Sequence, residues 1–275
     1  MRKTENPGDN LESSSKEIEI ILKSQSARQG LERRLRESTN PYHNKQHTEN
    51  VVQATRTLLD NLADPDLFSD TERLLLVECA WRHDDGHVGR TYRQEVANDG
   101  LSNEEHAVAL LKQDLRGRLG EKNLKLMEDA ILVTSFGQND ASKLPESKQR
   151  YLRPYKPKTD LQRLLALADV NGFTRGWNEW ADESFRVLEE SPRNELFDID
   201  AWLIRREGFV NFYISPLIDS VGPLLKPEYF KQLQQGLGLL RRELAALRDK
   251  SNPKRTEYAN RLKTIKEAVV LPEDR

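Results

Sequence analysis

An all-α fold is predicted by three features of the sequence. Apolar residues recur at helical spacing over most of the chain, as in Val51, Val52, Leu58, Leu59 and Leu62, or Leu233, Leu237, Leu240, Leu244 and Leu247. Capping boxes stand ahead of two such runs, Ser69 with Glu72 and Ser102 with Glu105. No run alternates cleanly between apolar and polar residues, and no Asn-Gly turn joins two apolar segments into a hairpin.

The first fifteen or so residues carry Pro7, Gly8 and a serine run with almost nothing to bury, so 1–15 reads as a disordered segment ahead of one domain spanning 16–275. Residues 47–63 form a helix closed by Asp64-Pro65. The Ser69 box opens the next, ahead of Leu74, Leu75, Leu76, Val77 and Ala80; the Ser102 box opens another, ahead of Val108, Leu110 and Leu111. Residues 121–136 and 160–170 read as buried helices, and 174–190 and 198–222 follow. Pro227 suits a first helical position, where its missing N–H costs nothing, and Pro253 opens a last, weaker helix. Residues 137–159, rich in Pro and Lys, form a polar connection of a length that is usually functional or disordered.

Composition narrows the function. The 275 residues hold 43 Lys and Arg against 45 Asp and Glu, a net charge of −2 that argues against nucleic-acid binding through a basic surface. One cysteine, Cys79, excludes an internal disulfide framework and a four-cysteine zinc site. No apolar run approaches the ~20 residues of a membrane span, and the N-terminus lacks an apolar signal core. A cytoplasmic location is the default expectation, with no membrane partner.

All five histidines lie between positions 43 and 106, in three groups: His43 and His47 in PYHNKQH, His83 and His87 in WRHDDGHVG, and His106 in NEEHAVALL. A spacing of four puts both members of a pair on one face if the segment is helical. Imidazole nitrogen and carboxylate oxygen are the donors a divalent transition metal prefers, and Asp84 adjoins His83. Asp169 ends the apolar run LLALA, where an anion is disfavoured by burial and by the helix dipole unless something positive meets it.

These residues, in the order His47, His83-Asp84, Asp169, resemble the signature of the HD superfamily of metal-dependent phosphohydrolases. The segments Tyr42-His43-Asn44-Lys45-Gln46-His47, His83 to Gly89, the His106 helix, ILVTSF with Thr134, Ala168-Asp169-Val170-Asn171-Gly172, WNEWADESF and GFVNFYISPL are similar, in order, to motifs of the class I cyclic-nucleotide phosphodiesterase catalytic domain. The resemblance implies a compact helical bundle of that type and hydrolysis of a 3',5'-cyclic nucleotide to the 5'-monophosphate by a hydroxide bridging two divalent ions, whether Zn, Mn, Mg or Fe. It implies that His47, His83, Asp84 and Asp169 hold the first metal, with Asp84 bridging to a second. It gives His87, His106 and Thr134 the task of orienting metal-bound water, and His43 that of general acid. Tyr42, Phe209 and Arg206 would meet the substrate.

Two positions depart from the pattern. The family's acidic residue three before the helix histidine aligns with Asn103, and its purine-contacting glutamine aligns with Arg206, a donor-only group. Arg206 and the basic stretch 142–158 leave a second expectation open: another HD phosphohydrolase acting on a nucleoside monophosphate, a dinucleotide or a guanosine polyphosphate. A catalytically silent nucleotide-binding module is the third.

Overall fold

The structure, a computed structural model, describes residues 14–87, 101–134, 156–190 and 194–269. Its helices are α1 (Ser15–Lys23), α2 (Gln25–Glu37), α3 (Lys45–Asp60), α4 (Asp70–Arg82), α5 (Asn103–Leu115), α6 (Glu121–Leu132), α7 (Asp160–Asp169), α8 (Trp177–Glu190), α9 (Ile199–Phe209), α10 (Ser215–Val221), α11 (Pro227–Ala246) and α12 (Pro253–Ala268). The predicted all-α class holds: among the described residues the extended pairings are two isolated bridges, Leu62 with Leu225 and Arg116 with Leu119. No described helix is long and apolar enough to cross a membrane. The expected disorder of 1–15 is corrected at its end, where Ser14 caps α1 and Ser15 begins it; residues 1–13 and most of the 137–159 connection lie outside the described residues.

Both capping boxes read from the sequence are formed, at Ser69–Glu72 and Ser102–Glu105. Two more follow the same rule, Ser14–Glu17 at α1 and Thr159–Gln162 at α7. Each satisfies orphan N–H groups of a first turn, typically worth ~1 kcal/mol. Pro227 and Pro253 sit in the first turns of α11 and α12, as expected.

Helix α7 is the axis of the fold. Leu161, Leu164, Leu165, Ala166, Leu167 and Ala168 are all buried, so past its first turn the helix is apolar on every side until Asp169. Such a helix must be wrapped by others, and α3, α4, α6 and α10 pack on it. The C-terminal helices add an aromatic layer in which Trp202 is fully buried and stacks on Phe185 at 5.0 Å, and Trp177 donates Nε1–H to the Tyr258 hydroxyl at 2.8 Å. Leu233, Leu237, Leu240, Leu244 and Leu247 are buried in this packing.

Three expected boundaries shift. The helix expected over 121–136 ends at Leu132. The segment expected to begin at 174 starts at Trp177, because Asn171–Arg175 forms a 3-10 turn and Gly176 takes φ +106. The single helix expected over 198–222 is α9, a π-helical stretch at Val210–Ile214, and α10. Pro216 has no N–H for the carbonyl four residues back, and the ladder changes register just ahead of it, Ser215 N bonding to Val210 O.

Candidate metal centre

Three chain segments deliver the site, and each does so at a helix end. Asn44 caps α3: its Oδ1 accepts from Gln46 N at 2.9 Å and His47 N at 3.2 Å. His47 therefore lies in the first turn of α3, while His43 precedes the cap. Helix α4 ends at Arg82, and His83 to Gly86 form a turn in which Gly86 adopts φ +72. A Cβ at Gly86 would lie 2.7 Å from Leu110 Cδ1 and 2.9 Å from His106 Cδ2, so glycine is needed for both backbone and space. The one-face helical reading of His43/His47 and His83/His87 is thus corrected: the Asn44 cap separates His43 from the helix that holds His47, and His83 and His87 both follow the last residue of α4. Helix α7 brings Asp169 in at its C-terminal end.

The four predicted ligands meet. His83 Nε2 lies 3.0 Å from Asp84 Oδ2, 3.5 Å from Asp169 Oδ1 and 3.3 Å from His47 Nε2. His47 Nε2 is 3.3 Å from both Asp84 Oδ2 and Asp169 Oδ1. All four point heteroatoms at one small volume. His83 donates Nδ1–H to Ala80 O at 2.9 Å, which leaves the Nε2 lone pair facing the cluster. Asp84 Oδ2 is buried and makes no hydrogen bond despite these neighbours. An orphaned buried carboxylate oxygen beside two imidazole nitrogens and a second carboxylate fits a divalent cation in donor chemistry. Asp84 also belongs to a second group: His43, Asp84 and His87 each offer a donor atom within 4.8 Å of the others.

Charge within the cluster is strongly coupled. Burial opposes the protonated form of His47, but Asp169 and Asp84 outweigh it and push the imidazole up to about 9. His83 is raised well above its ordinary value in the same contest, burial against Asp84 and Asp169. Burial would raise Asp84 and Asp169, yet the neighbouring imidazoles hold both carboxyls below the usual range.

Beside the cluster stands a residue the sequence reading missed. Glu190, the last residue of α8, accepts from His43 Nδ1 and from the backbone N–H groups of Tyr42 at 3.1 Å and His43 at 2.9 Å. Burial works against its charge, and the His43 contact wins, keeping Glu190 below the usual carboxylate range. His87 stacks on His43 with centroids 3.8 Å apart, and its Nδ1 lies 3.4 Å from the same Glu190 oxygen. Asn103 Nδ2 donates to His87 Nε2 at 2.7 Å. An amide nitrogen only donates, so this bond fixes His87 as the Nδ1–H tautomer. The clue to Glu190 was available: like Asp169, it is an anion at a helix C-terminus, where the dipole disfavours one.

The remaining candidates divide. Tyr42 packs its ring 4.4 Å from His47 and 4.7 Å from His43, so it borders the cluster. His106 lies against the His83–His87 turn at Gly86. Thr134 donates its hydroxyl to Ile131 O at 2.8 Å, within its own helix end. Phe209 stacks on Tyr213 at 5.0 Å, and Arg206 Nη1 donates to Ser184 Oγ at 3.4 Å. Those described contacts of Thr134, Phe209 and Arg206 do not include the side chains of His47, His83, Asp84 or Asp169.

No family model matches the chain. Two crystal structures of the phosphodiesterase domain of a rhodopsin–phosphodiesterase fusion from the choanoflagellate Salpingoeca rosetta are similar to it. One has 21% sequence identity and a TM-score of 0.58, over 92% of this chain and 88% of that one. The other has 20% identity and a TM-score of 0.60, over 92% of this chain and 87% of that one. At this identity the likeness is one of fold: the chain has a phosphodiesterase-type helical architecture.

Proposed function

We propose that the protein is a metal-dependent phosphohydrolase of the HD type that hydrolyses a 3',5'-cyclic nucleotide to the 5'-monophosphate. The observation that carries this reading is the meeting of His47, His83, Asp84 and Asp169 around one volume, with Asp84 Oδ2 buried and unbonded. The phosphodiesterase-type fold supports it.

His47, His83, Asp84 and Asp169 would hold one divalent cation, and Asp84 is placed to be shared with another. Bound cations supply positive charge for the phosphoryl oxygens and lower the pKa of a coordinated water. The chain's own contribution to proton transfer is His43. Glu190 accepts a hydrogen bond from Nδ1–H, which orients the ring and leaves the Nε2 proton as the one that would pass to the departing ester oxygen. His87, stacked on His43 and fixed by Asn103, holds that ring from its other face. Tyr42 closes the side of the cluster next to His43 and His47.

The test is a substrate screen on protein loaded in turn with Mn2+, Mg2+ and Zn2+, using cyclic mononucleotides, linear and cyclic dinucleotides, nucleoside monophosphates and guanosine polyphosphates. Turnover of a cyclic mononucleotide that vanishes in Asp84→Ala supports the proposal. Turnover confined to the linear or polyphosphate substrates moves the protein to another phosphohydrolase class, the outcome that donor-only Arg206 would suit. Metal uptake without turnover of any of them would make it a silent binding module.

A further inference from the structure

The turn that carries His83 and Asp84 also carries Asp85, a carboxylate that the proposed reaction does not use. It is 1% exposed, as buried as any ligand of the cluster. Arg34 of α2 grips it from the other side: Nε donates to Oδ1 and Nη2 to Oδ2, both at 2.6 Å. This planar, two-bond fork fixes orientation as well as distance.

The fork is one end of a longer chain of charge. Arg34 Nη2 also donates to Asp114 Oδ2 on α5 at 3.0 Å, and Arg82 Nη1 reaches the same oxygen at 2.9 Å. Arg82 Nε donates to Glu78 Oε1 at 2.7 Å, and Glu78 Oε2 accepts from Arg28 Nη2 at 2.8 Å. Three guanidinium groups alternate with three carboxylates, so the network is neutral. It ties α2, α4 and α5 together. Among its described side chains α2 has Leu31 as its fully buried apolar residue, so its hold on the bundle leans on these arginines.

Asp84 and Asp85 are consecutive in a tight turn, closed by Asp85 N bonding to Arg82 O at 3.0 Å and His87 N to Asp84 O at 3.1 Å. A shift of this turn's backbone re-aims both side chains at once. A buried carboxylate released from its cation must turn toward water, and a turn that rotates to expose Asp85 swings Asp84 and His83 with it.

We propose that Asp85 is a positioning residue for the metal centre: the Arg34 fork fixes the turn that presents His83 and Asp84, so the cation affinity of the cluster depends on a helix that contributes no ligand to it. This rests on reading the cluster as a cation site.

The experiment is Mn2+ titration of the full chain against a chromophoric chelator, with thermal melting run alongside. Asp85→Asn and Arg34→Ala are expected to weaken Mn2+ binding by roughly 10–100-fold, the usual cost of losing a group that orients a ligand. Asp114→Asn breaks the same network away from the ligand turn; it should lower the melting temperature to a similar degree while Mn2+ affinity stays within about threefold of wild type. Arg34→Lys keeps the charge, loses the fork and should fall between. Wild-type affinity in Asp85→Asn overturns the proposal, as does an equal loss in Asp114→Asn, since either makes the network merely structural. If Asp85→Asn does not fold, wild-type affinity in folded Arg34→Lys overturns it. A wild-type chain that takes up no divalent cation is a different failure, that of the metal centre itself.

Discussion

Two aspartates, neighbours in sequence, sit in opposite circumstances. Asp85 has both oxygens on a guanidinium at 2.6 Å, inside a network of equal charges. Asp84 has an oxygen buried among imidazoles and a second carboxylate with no hydrogen bond at all. Both sites are polar and buried, and both bring side chains together from helices distant in sequence. The difference is satisfaction. A saturated network is complete as it stands and holds the helices; an under-satisfied one is complete only with something added, which the proposed function takes to be a cation.

The largest test of that contrast removes one aspartate at a time. Asp84→Asn should cut metal affinity by more than about 100-fold, beyond what orienting residues usually cost, because it removes a ligand. Turnover should go with it. Isothermal titration and a phosphate-release assay read the two effects separately. A metal-binding Asp84→Asn variant would erase the distinction between the two sites.

The next test moves to His43, the acid of the proposed reaction, and to Glu190, which holds it. His43→Ala should lower kcat by about 10²–10⁴, the usual contribution of a positioned acid, with metal binding unchanged. Glu190→Gln keeps the volume but removes the charge that holds His43, and it should cost less than His43→Ala. An effect on metal content larger than on kcat would place the pair in the metal centre instead.

Titration gives a smaller but directional effect. In the cation-free cluster His47 is raised to about 9, so at pH 7 it is protonated, and His83 is raised in the same direction. Metal binding must displace those protons. Affinity should therefore rise with pH toward about 9, by up to about tenfold per unit for each proton displaced. The chelator-treated protein should show the opposite trend: the stability from protonated His47 is full below its unfolded value near 6.5 and is lost as pH rises through about 9. Melting temperature with and without Mn2+ across pH 6–10 checks both slopes.

How much of this was legible follows from what each feature needs. The helices needed only local periodicity, and the Ser69 and Ser102 boxes only four residues each. The candidate ligands were conspicuous through their histidines, a type with only 5 members in the chain, where a glutamate is not. Glu190 lies 147 residues from His43, next to Glu189 in an acidic helix, and only the fold makes one of them a partner. Arg34 and Asp85 were equally silent, since surface arginines and aspartates abound. The helical pairing of His43 with His47 failed for a local reason, the preference of Asn44 for the cap position.

The smallest expected effect is at Thr134, and it separates family likeness from the geometry of this chain. The resemblance gives Thr134 the task of orienting metal-bound water. Here its buried hydroxyl donates to Ile131 O at 2.8 Å, so its proton is already committed to the backbone. Thr134→Val keeps the shape and loses that bond, which is worth about 0.5–1.5 kcal/mol, while the Ile131 carbonyl keeps the backbone N–H of residue 134 at 3.0 Å. Melting should fall by a few degrees, and Mn2+ affinity should stay within about threefold of wild type. A loss of 10-fold or more would mean that the hydroxyl oxygen, through its lone pairs, serves the metal's water after all. Thr134 would then stand with His87, and the under-satisfied cluster would reach from the Asp84 turn to the C-terminal end of α6.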